Sequence, residues 1–317
     1  MERRIIRGKG YRFIGVDARP FSKTGIRNKF ISLFVNLHCF FQSMRILKRE
    51  NPAFVCGTGG YVEVPVIFAA SILRIPTLIT EQNFVPGLAT RVLSKIASQV
   101  HLTFEESKRY LPARAHIYVS GNPMRQGIGK ITKGKGCRYF SLDPKKKTVL
   151  FLGGSAGAHR INQVFCELVG SIKDLQFIII TGSRDYQDVR KRCESPRVAV
   201  LPFIEEIEYA YGASDAVVSR AGATTIAEII TAAKPSILIP YPYAGYHQKL
   251  NAEWVVEKKG GIMIEDENLS KEVLRKEILE IIKSKNSKSM EENLKGLSVG
   301  DAARKIAKEI EKICSDT

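Results

Sequence analysis

The stretch Thr148-Val149-Leu150-Phe151-Leu152-Gly153-Gly154-Ser155-Ala156-Gly157-Ala158-His159-Arg160-Ile161-Asn162-Gln163 decides the fold. A short apolar, β-favouring run is followed at once by glycines, and a helical run begins behind them. A strand ending in a glycine-rich turn that opens a helix is the first unit of a doubly wound α/β domain, in which backbone N–H groups and the helix dipole can meet a phosphate. Downstream, the same reading predicts strands at 177–180, 199–201, 216–218 and 236–239. Upstream, it predicts strands at 53–56, 77–79 and 99–102, with helical segments between them. This alternation predicts two parallel sheets wrapped by helices. From Gly121 to Lys147 the composition turns to Gly, Lys and Pro with few apolar residues, the mark of a connection. The predicted organisation is therefore a first Rossmann-like domain over 1–123, a linker over 124–147 and a second Rossmann-like domain over 148–300. A terminal helix over 301–317 can pack back on the first domain through Ala303, Ile306, Ala307, Ile310 and Ile313.

With 317 residues, 44% hydrophobic and 26% charged, the chain can bury two cores, which excludes a disordered or fibrous class. No apolar run reaches the roughly 20 residues of a spanning helix, so no transmembrane segment is expected. The opening residues lack the apolar core of a secretory signal, so the cytoplasmic side is expected. Six cysteines (Cys39, Cys56, Cys137, Cys166, Cys193 and Cys314) form no C-x-x-C pair and read as free thiols. The net charge of +17 favours phosphate-rich or anionic partners. Residues 1–50 hold twelve Lys/Arg against three acids, more than half of that excess. In the same segment Ile26, Phe30, Leu33, Phe34, Leu37, Phe41, Met44 and Leu47 recur at helical spacing. That stripe is expected to face the core with solvated ends; the alternative, compatible with it, is that part of the apolar surface and its Lys/Arg rim sit on an anionic bilayer. No zinc finger, RNP-like aromatic motif or recognition helix supports nucleic acid as a partner.

Three loops carry candidate chemistry, each at the carboxyl end of a predicted strand, where open α/β sheets bind ligands. The first is the Gly153–Gly157 turn. Its Gly153-x-Ser155-x-Gly157 spelling also fits the nucleophile elbow of a serine hydrolase, with Asp215 and His247 in chain order to complete a triad. The second is Ser219-Arg220-Ala221-Gly222-Ala223-Thr224-Thr225-Ile226-Ala227-Glu228. Its threonines open a helix, and Glu228 lies where a carboxylate can accept ribose hydroxyls. The third is the polar, turn-rich run from Pro242 to Ala252, containing His247-Gln248-Lys249-Leu250-Asn251.

Taken together, these motifs resemble those of the MurG family: Gly-Gly-Ser-x-Gly-Ala, Arg-x-Gly-Ala-Thr-Thr-x-x-Glu and His-Gln-x-x-Asn-Ala, in this order and spacing. In the first half, Gly57-Thr58-Gly59-Gly60-Tyr61-Val62, Glu81-Gln82-Asn83 with Pro86-Gly87, and Gly121-Asn122-Pro123-Met124-Arg125 are similar to the same family's motifs. The resemblance implies a GT-B fold, two Rossmann-like domains with a cleft between them. It also implies transfer of N-acetylglucosamine, with inversion, from UDP-N-acetylglucosamine to the 4-hydroxyl of lipid I, giving lipid II. By the same resemblance Ile204 faces the uracil and Glu228 the ribose. Ser155, Arg125 and the segment Ala223, Thr224, Thr225, Ile226 and Ala227 meet the diphosphate and sugar, Gln248 binds the sugar, and Asn83 reaches it from the first domain. No cofactor is implied, and the chain has no Asp-x-Asp metal motif. Implied partners are the donor, lipid I, an anionic membrane surface and proteins of cell-wall assembly. The implied place is the cytoplasmic face of the cell membrane, as a peripheral protein.

The family normally opens with a strand, a Gly-Gly-Thr-Gly-Gly-His turn and a helix, which this sequence lacks. The first domain is thus expected to be incomplete at its N-terminus. Glu81 is the first-domain carboxylate to test as general base. Thr80 stands where the family has His, and Glu63 where it has a small residue. The alternatives are a donor-binding, membrane-surface protein without turnover, and the serine hydrolase.

Overall fold

The computed structural model describes residues 2–20, 26–153, 157–243 and 246–315. They form two compact units: Met1–Gln82 with Pro86–Ser120 and Arg304–Thr317, and Asn83–Val85 with Gly121–Ala303.

The first unit comprises α1 (Glu2–Gly8), α2 (Ile26–Glu50), β1 (Val55–Gly57), α3 (Glu63–Ile72), β2 (Thr77–Glu81), α4 (Leu88–Leu93), β3 (Gln99–Leu102) and β4 (Ile117–Val119). Its strands form one parallel sheet in the order β1-β2-β3-β4. β2 is buried along its whole length, and Ile67, Ile79, Leu93, Val100 and Leu102 make the core beneath it.

Helix α2 departs from the expectation drawn from its apolar stripe. The buried positions are Ser32, Cys39, Ser43 and Leu47, whereas Phe30, Leu33, Phe34, Leu37 and Phe41 are exposed. Small side chains at Cys39 and Ser43 permit close packing, and Leu47, Met44 and Phe40 meet Ala69 and Ala70 of α3. The bulky stripe is left outward; the side chain of Ile26 lies outside the described residues. The preceding segment runs along α2: the Asn36 side chain bonds both the N–H and the carbonyl of Arg19, and Gln42 accepts from the Asp17 N–H. A second correction concerns length. Phe30–Glu50, 21 residues, is long and apolar enough by composition to cross a membrane. Counting continuous apolar runs hid this, because Asn36, His38, Gln42 and Ser43 interrupt the run without adding charge.

The second unit comprises α5 (Lys133–Tyr139), β5 (Lys147–Leu152), α6 (His159–Leu168), β6 (Leu175–Ile180), α7 (Tyr186–Arg192), β7 (Val198–Leu201), α8 (Ile207–Ala213) and β8 (Ala216–Ser219), then α9 (Ala223–Ala232), β9 (Ser236–Leu238), α10 (His247–Glu257), β10 (Gly261–Met263), α11 (Lys271–Ile282) and α12 (Ser284–Leu297). A terminal helix, α13 (Ala302–Ser315), is grouped from Arg304 onward with the first unit. The six parallel strands run β10-β9-β8-β5-β6-β7. The order reverses between β5 and β8, so a crevice opens there at the carboxyl ends, the place where such sheets bind ligands. Phe151, Phe165 and Phe177 meet edge to face at the centre of this unit's core.

The segment expected as a linker is part of this unit. Gly136 of α5 sits so close to α8 that an added Cβ would fall 2.4 Å from the Ala213 nitrogen. Its Gly and Lys content reflects tight helix contact and surface, where the sequence reading took it for a connection. Strands β4 and β10, three residues each, also escaped that reading. Runs so short carry too little periodicity to be told from loop.

Candidate active site

Four loops converge at the carboxyl edge of the second sheet. After β5 the chain turns through Gly153, and Gly157 adopts φ +77° with its Cα against the Thr181 carbonyl; an added Cβ would lie 2.4 Å from that oxygen. Only glycine fits there. Ser155, with Gly154 and Ala156, lies outside the described residues. After β8, Gly222 is extended and precedes α9, whose first residues Ala223, Thr224 and Thr225 carry N–H groups that the helix leaves unpaired. Thr224 is exposed and Ala223 and Thr225 half-buried, so all three leave surface open at this edge. Ile226, by contrast, is fully buried and Ala227 nearly so; their side chains belong to the core and can offer a ligand no surface.

One turn into α9, Glu228 is buried and accepts a hydrogen bond from the Tyr211 hydroxyl, Oε2 to Oη 3.0 Å. Among the described residues Tyr211 is the only recorded donor to this carboxylate. Burial raises its pKa above the ordinary value, against the opposing pull of the Tyr211 hydrogen bond and the Arg125 charge. Arg125 is exposed and donates to the Glu205 carbonyl at 2.7 Å, next to the buried Ile204. Ile204, Arg125 and Glu228 therefore occur together in one unit.

The loop after β9 is shaped by Gln248, whose Oε1 accepts from the Tyr241 N–H at 2.9 Å; Ala244 and Gly245 lie outside the described residues. Asn83 groups with the second unit, not the first. Its Oδ1 accepts from Asn251 Nδ2 at 3.3 Å, while Asn251 Oδ1 accepts from the Phe84 N–H at 2.9 Å. Three residues that sequence reasoning gave no role thus set the site: Tyr211, which fixes Glu228; Asn251, which holds the Asn83 segment; and Arg220. The Arg220 guanidinium donates to the carbonyls of Ile239 (3.1 Å) and Pro240 (3.3 Å) and to Asp266 Oδ1 (2.5 Å), tying the loops after β8 and β9 together. A buried tyrosine seventeen residues away leaves no periodic signal. Arg220, inside its motif, could have been singled out.

The hydrolase alternative fails on topology. Asp215 precedes β8 at the opposite end of the sheet, where it pairs with Lys133 and Lys147 and accepts from the Thr148 N–H. At roughly 3.3 Å per residue, the strand β8 separates it by about 13 Å from the edge carrying the Gly153 turn and His247.

Glu81, in the first unit, is 5% exposed, and its Oε2 accepts from the Gly87 N–H (2.9 Å) and the Thr90 hydroxyl (2.6 Å). The carboxylate thereby fastens the start of α4 to the end of β2. Beside it, Gln82 donates to the Thr58 carbonyl (3.0 Å) and to Thr80 Oγ1 (2.9 Å), fastening the Gly57–Gly60 loop. Glu63 lies under that loop, 8% exposed, with Oε2 accepting from the Gly59 N–H at 2.8 Å. Its Oε1 has no partner among the described residues.

Burial pushes the Glu63 carboxyl from its ordinary 4.5 up to about 7, with nearby Glu81 adding to the rise. Folding therefore binds a proton that the unfolded chain has released between pH 4.5 and 7, and stability falls as pH rises through that window. The penalty reaches at most ~3 kcal/mol above pH 7. Glu63→Gln is accordingly expected to raise the melting temperature at pH 8 and to match the parent at pH 4.5. Equal differences at both pH values would refute the assignment.

Two parallel doubly wound sheets, the second with a switch-point edge that gathers a carboxylate, an arginine and helix N–H groups, are the GT-B architecture, and the domains the chain matches make it a glycosyltransferase. Residues 1–102 match the glycosyltransferase family 28 N-terminal domain, and residues 148–310 match its C-terminal domain. The chain belongs to glycosyltransferase family 28. It is 38% identical over 296 residues (89% of this chain, 80% of the relative) to the UDP-N-acetylglucosamine–N-acetylmuramyl-(pentapeptide) pyrophosphoryl-undecaprenol N-acetylglucosamine transferase of Halothermothrix orenii. The transferase of the same name from Geotalea uraniireducens is 38% identical, with 100% of this chain and 88% of that one covered. Among solved structures, Acinetobacter baumannii MurG superposes with a TM-score of 0.77 at 26% identity, covering 98% of this chain and 88% of that one.

Proposed function

We propose that this chain transfers N-acetylglucosamine from UDP-N-acetylglucosamine to the 4-hydroxyl of lipid I with inversion at the anomeric carbon. The observation that carries the reading is the Glu228–Tyr211–Arg125–Ile204 cluster at the switch point, in a chain whose relatives bear that transferase name. In this reading Ile204 packs on the base and Glu228 accepts the ribose hydroxyls. The amides of Ala223, Thr224 and Thr225, with Arg125, meet the charge that develops on UDP as it leaves. Ser155 and Gln248 act on the diphosphate and the sugar. The test is formation of lipid II from labelled UDP-N-acetylglucosamine and lipid I. Binding of UDP without any transfer would instead favour a donor-binding protein.

The same reading puts the chain on the cytoplasmic face of an anionic membrane. Supporting it, α2 exposes Phe30, Phe34 and Phe41 by 58%, 68% and 54%, in a segment rich in Lys and Arg. Flotation with vesicles containing anionic phospholipid is expected, and Phe34→Glu with Phe41→Glu is expected to reduce it at least tenfold. Unchanged flotation would take the helix out of the contact.

A further inference from the structure

Two of the six cysteines face each other inside the second unit. Cys166, in the last turn of α6, and Cys193, directly after α7, place their sulfurs 3.1 Å apart. Cys193 is 3% exposed, and Cys166 is half-buried, so a small reagent meets Cys166 first. The surroundings are set for a thiolate there: the Cys193 thiol donates toward Cys166 and the Arg192 guanidinium lies nearby, so the Cys166 thiol is held below its ordinary value, while the Cys193 thiol is raised.

We propose that Cys166 and Cys193 form a reversible dithiol–disulfide site, oxidised by a peroxide, that fastens the far end of α6 to the end of α7. The Cys166 thiolate attacks one peroxide oxygen; the S–O bond forms, the O–O bond breaks, and the departing hydroxide takes up a proton to become water. Cys193 then attacks the Cys166 sulfur: the S–S bond forms and the S–O bond breaks. The released hydroxide takes the Cys193 proton, giving a second water. Two thiols lose two electrons and the peroxide gains them. The sulfurs need only approach by about 1 Å to reach a disulfide length of about 2.05 Å.

The bond would act on a helix already fixed at its other end. There Asn162 donates to the Thr181 carbonyl (2.9 Å) and to Asp185 (2.8 Å), and His159 pairs with Asp185 (3.0 Å). Because α6 follows the Gly153–Gly157 turn, a second tether stiffens the helix on which that turn is built.

The test treats the folded full chain with hydrogen peroxide, blocks remaining thiols and digests without reductant. The expected product is a single peptide pair joining Cys166 to Cys193, lighter by two hydrogens and reopened by dithiothreitol. Amide exchange in α6 and α7 is expected to slow at least tenfold in the oxidised chain. Cys193→Ser should leave a sulfenic acid on Cys166 that dimedone traps. The proposal is overturned if both thiols stay alkylatable at a peroxide level that oxidises the exposed Cys56 and Cys314, or if Cys166 joins another cysteine. Unchanged exchange in the cross-linked chain would overturn the tether. The wild-type measurements stand even if the variant folds poorly.

Discussion

Glu228→Ala is expected to lower kcat/KM for the UDP-sugar about 100-fold, the loss of one strong charge-assisted recognition. The magnitude follows from the position of the carboxylate. Glu228 is 9% exposed and held by Tyr211, so it is desolvated and aimed before any ligand arrives, and little ordering is lost on binding. The isosteric Glu228→Gln keeps an acceptor for the Tyr211 hydroxyl and is expected to lose about 10-fold. Tyr211→Phe leaves the charge but frees its orientation, and should raise KM a fewfold with kcat nearly unchanged. The decisive comparison uses UDP and its 2′-deoxy analogue. The parent should discriminate between them and Glu228→Ala should not; discrimination that survives in the variant would remove Glu228 from the ribose. Acid should weaken binding in the parent sooner than for an ordinary glutamate, because burial makes this carboxyl easier to protonate.

The largest loss of stability is expected at Arg220→Ala. Arg220 is 8% exposed, and its guanidinium satisfies two carbonyls and a carboxylate at once; Tyr241 lies 5.4 Å beneath it. Truncation leaves Asp266, whose side chain is 16% exposed, with Arg160 at 3.9 Å as its one remaining cation among the described residues. Removing one partner of a buried pair costs about 3–5 kcal/mol. For a unit of this size, that lowers the melting temperature by about 10 °C. Arg220→Lys should recover only part of it, since an ammonium cannot match the planar fork. A loss below about 1 kcal/mol in Arg220→Ala would mean that the loops after β8 and β9 hold themselves.

The two effects separate what could be read in the sequence from what could not. Glu228 was legible because its spacing from Gly222 and the threonines places it one turn into a helix that follows a strand. Its partner Tyr211 was not, because the contact crosses from α8 to α9 and obeys no local period. Ser155, Asp215 and His247 show the converse hazard. Chain order allowed a triad, but a parallel strand carries its two ends to opposite edges of the sheet, and order along the chain cannot say which edge a residue occupies. Ile226 and Ala227 share the motif with Thr224, yet helical rotation turns them into the core.

By itself the sequence determined the class of fold, because strand and helix periods differ and the glycine turns punctuate them. It also determined the order of the loops that gather at the carboxyl edge of the second sheet. The tertiary structure decided which stripe of α2 is buried, and gave small residues priority over large ones because α3 had to come close. It decided that 124–147 belongs to the second unit, because Gly136 admits α8. It decided as well that Asn83 answers to Asn251, and that Cys166 faces Cys193. Each is a matter of distance between segments far apart in the chain, which packing sets and local pattern does not encode.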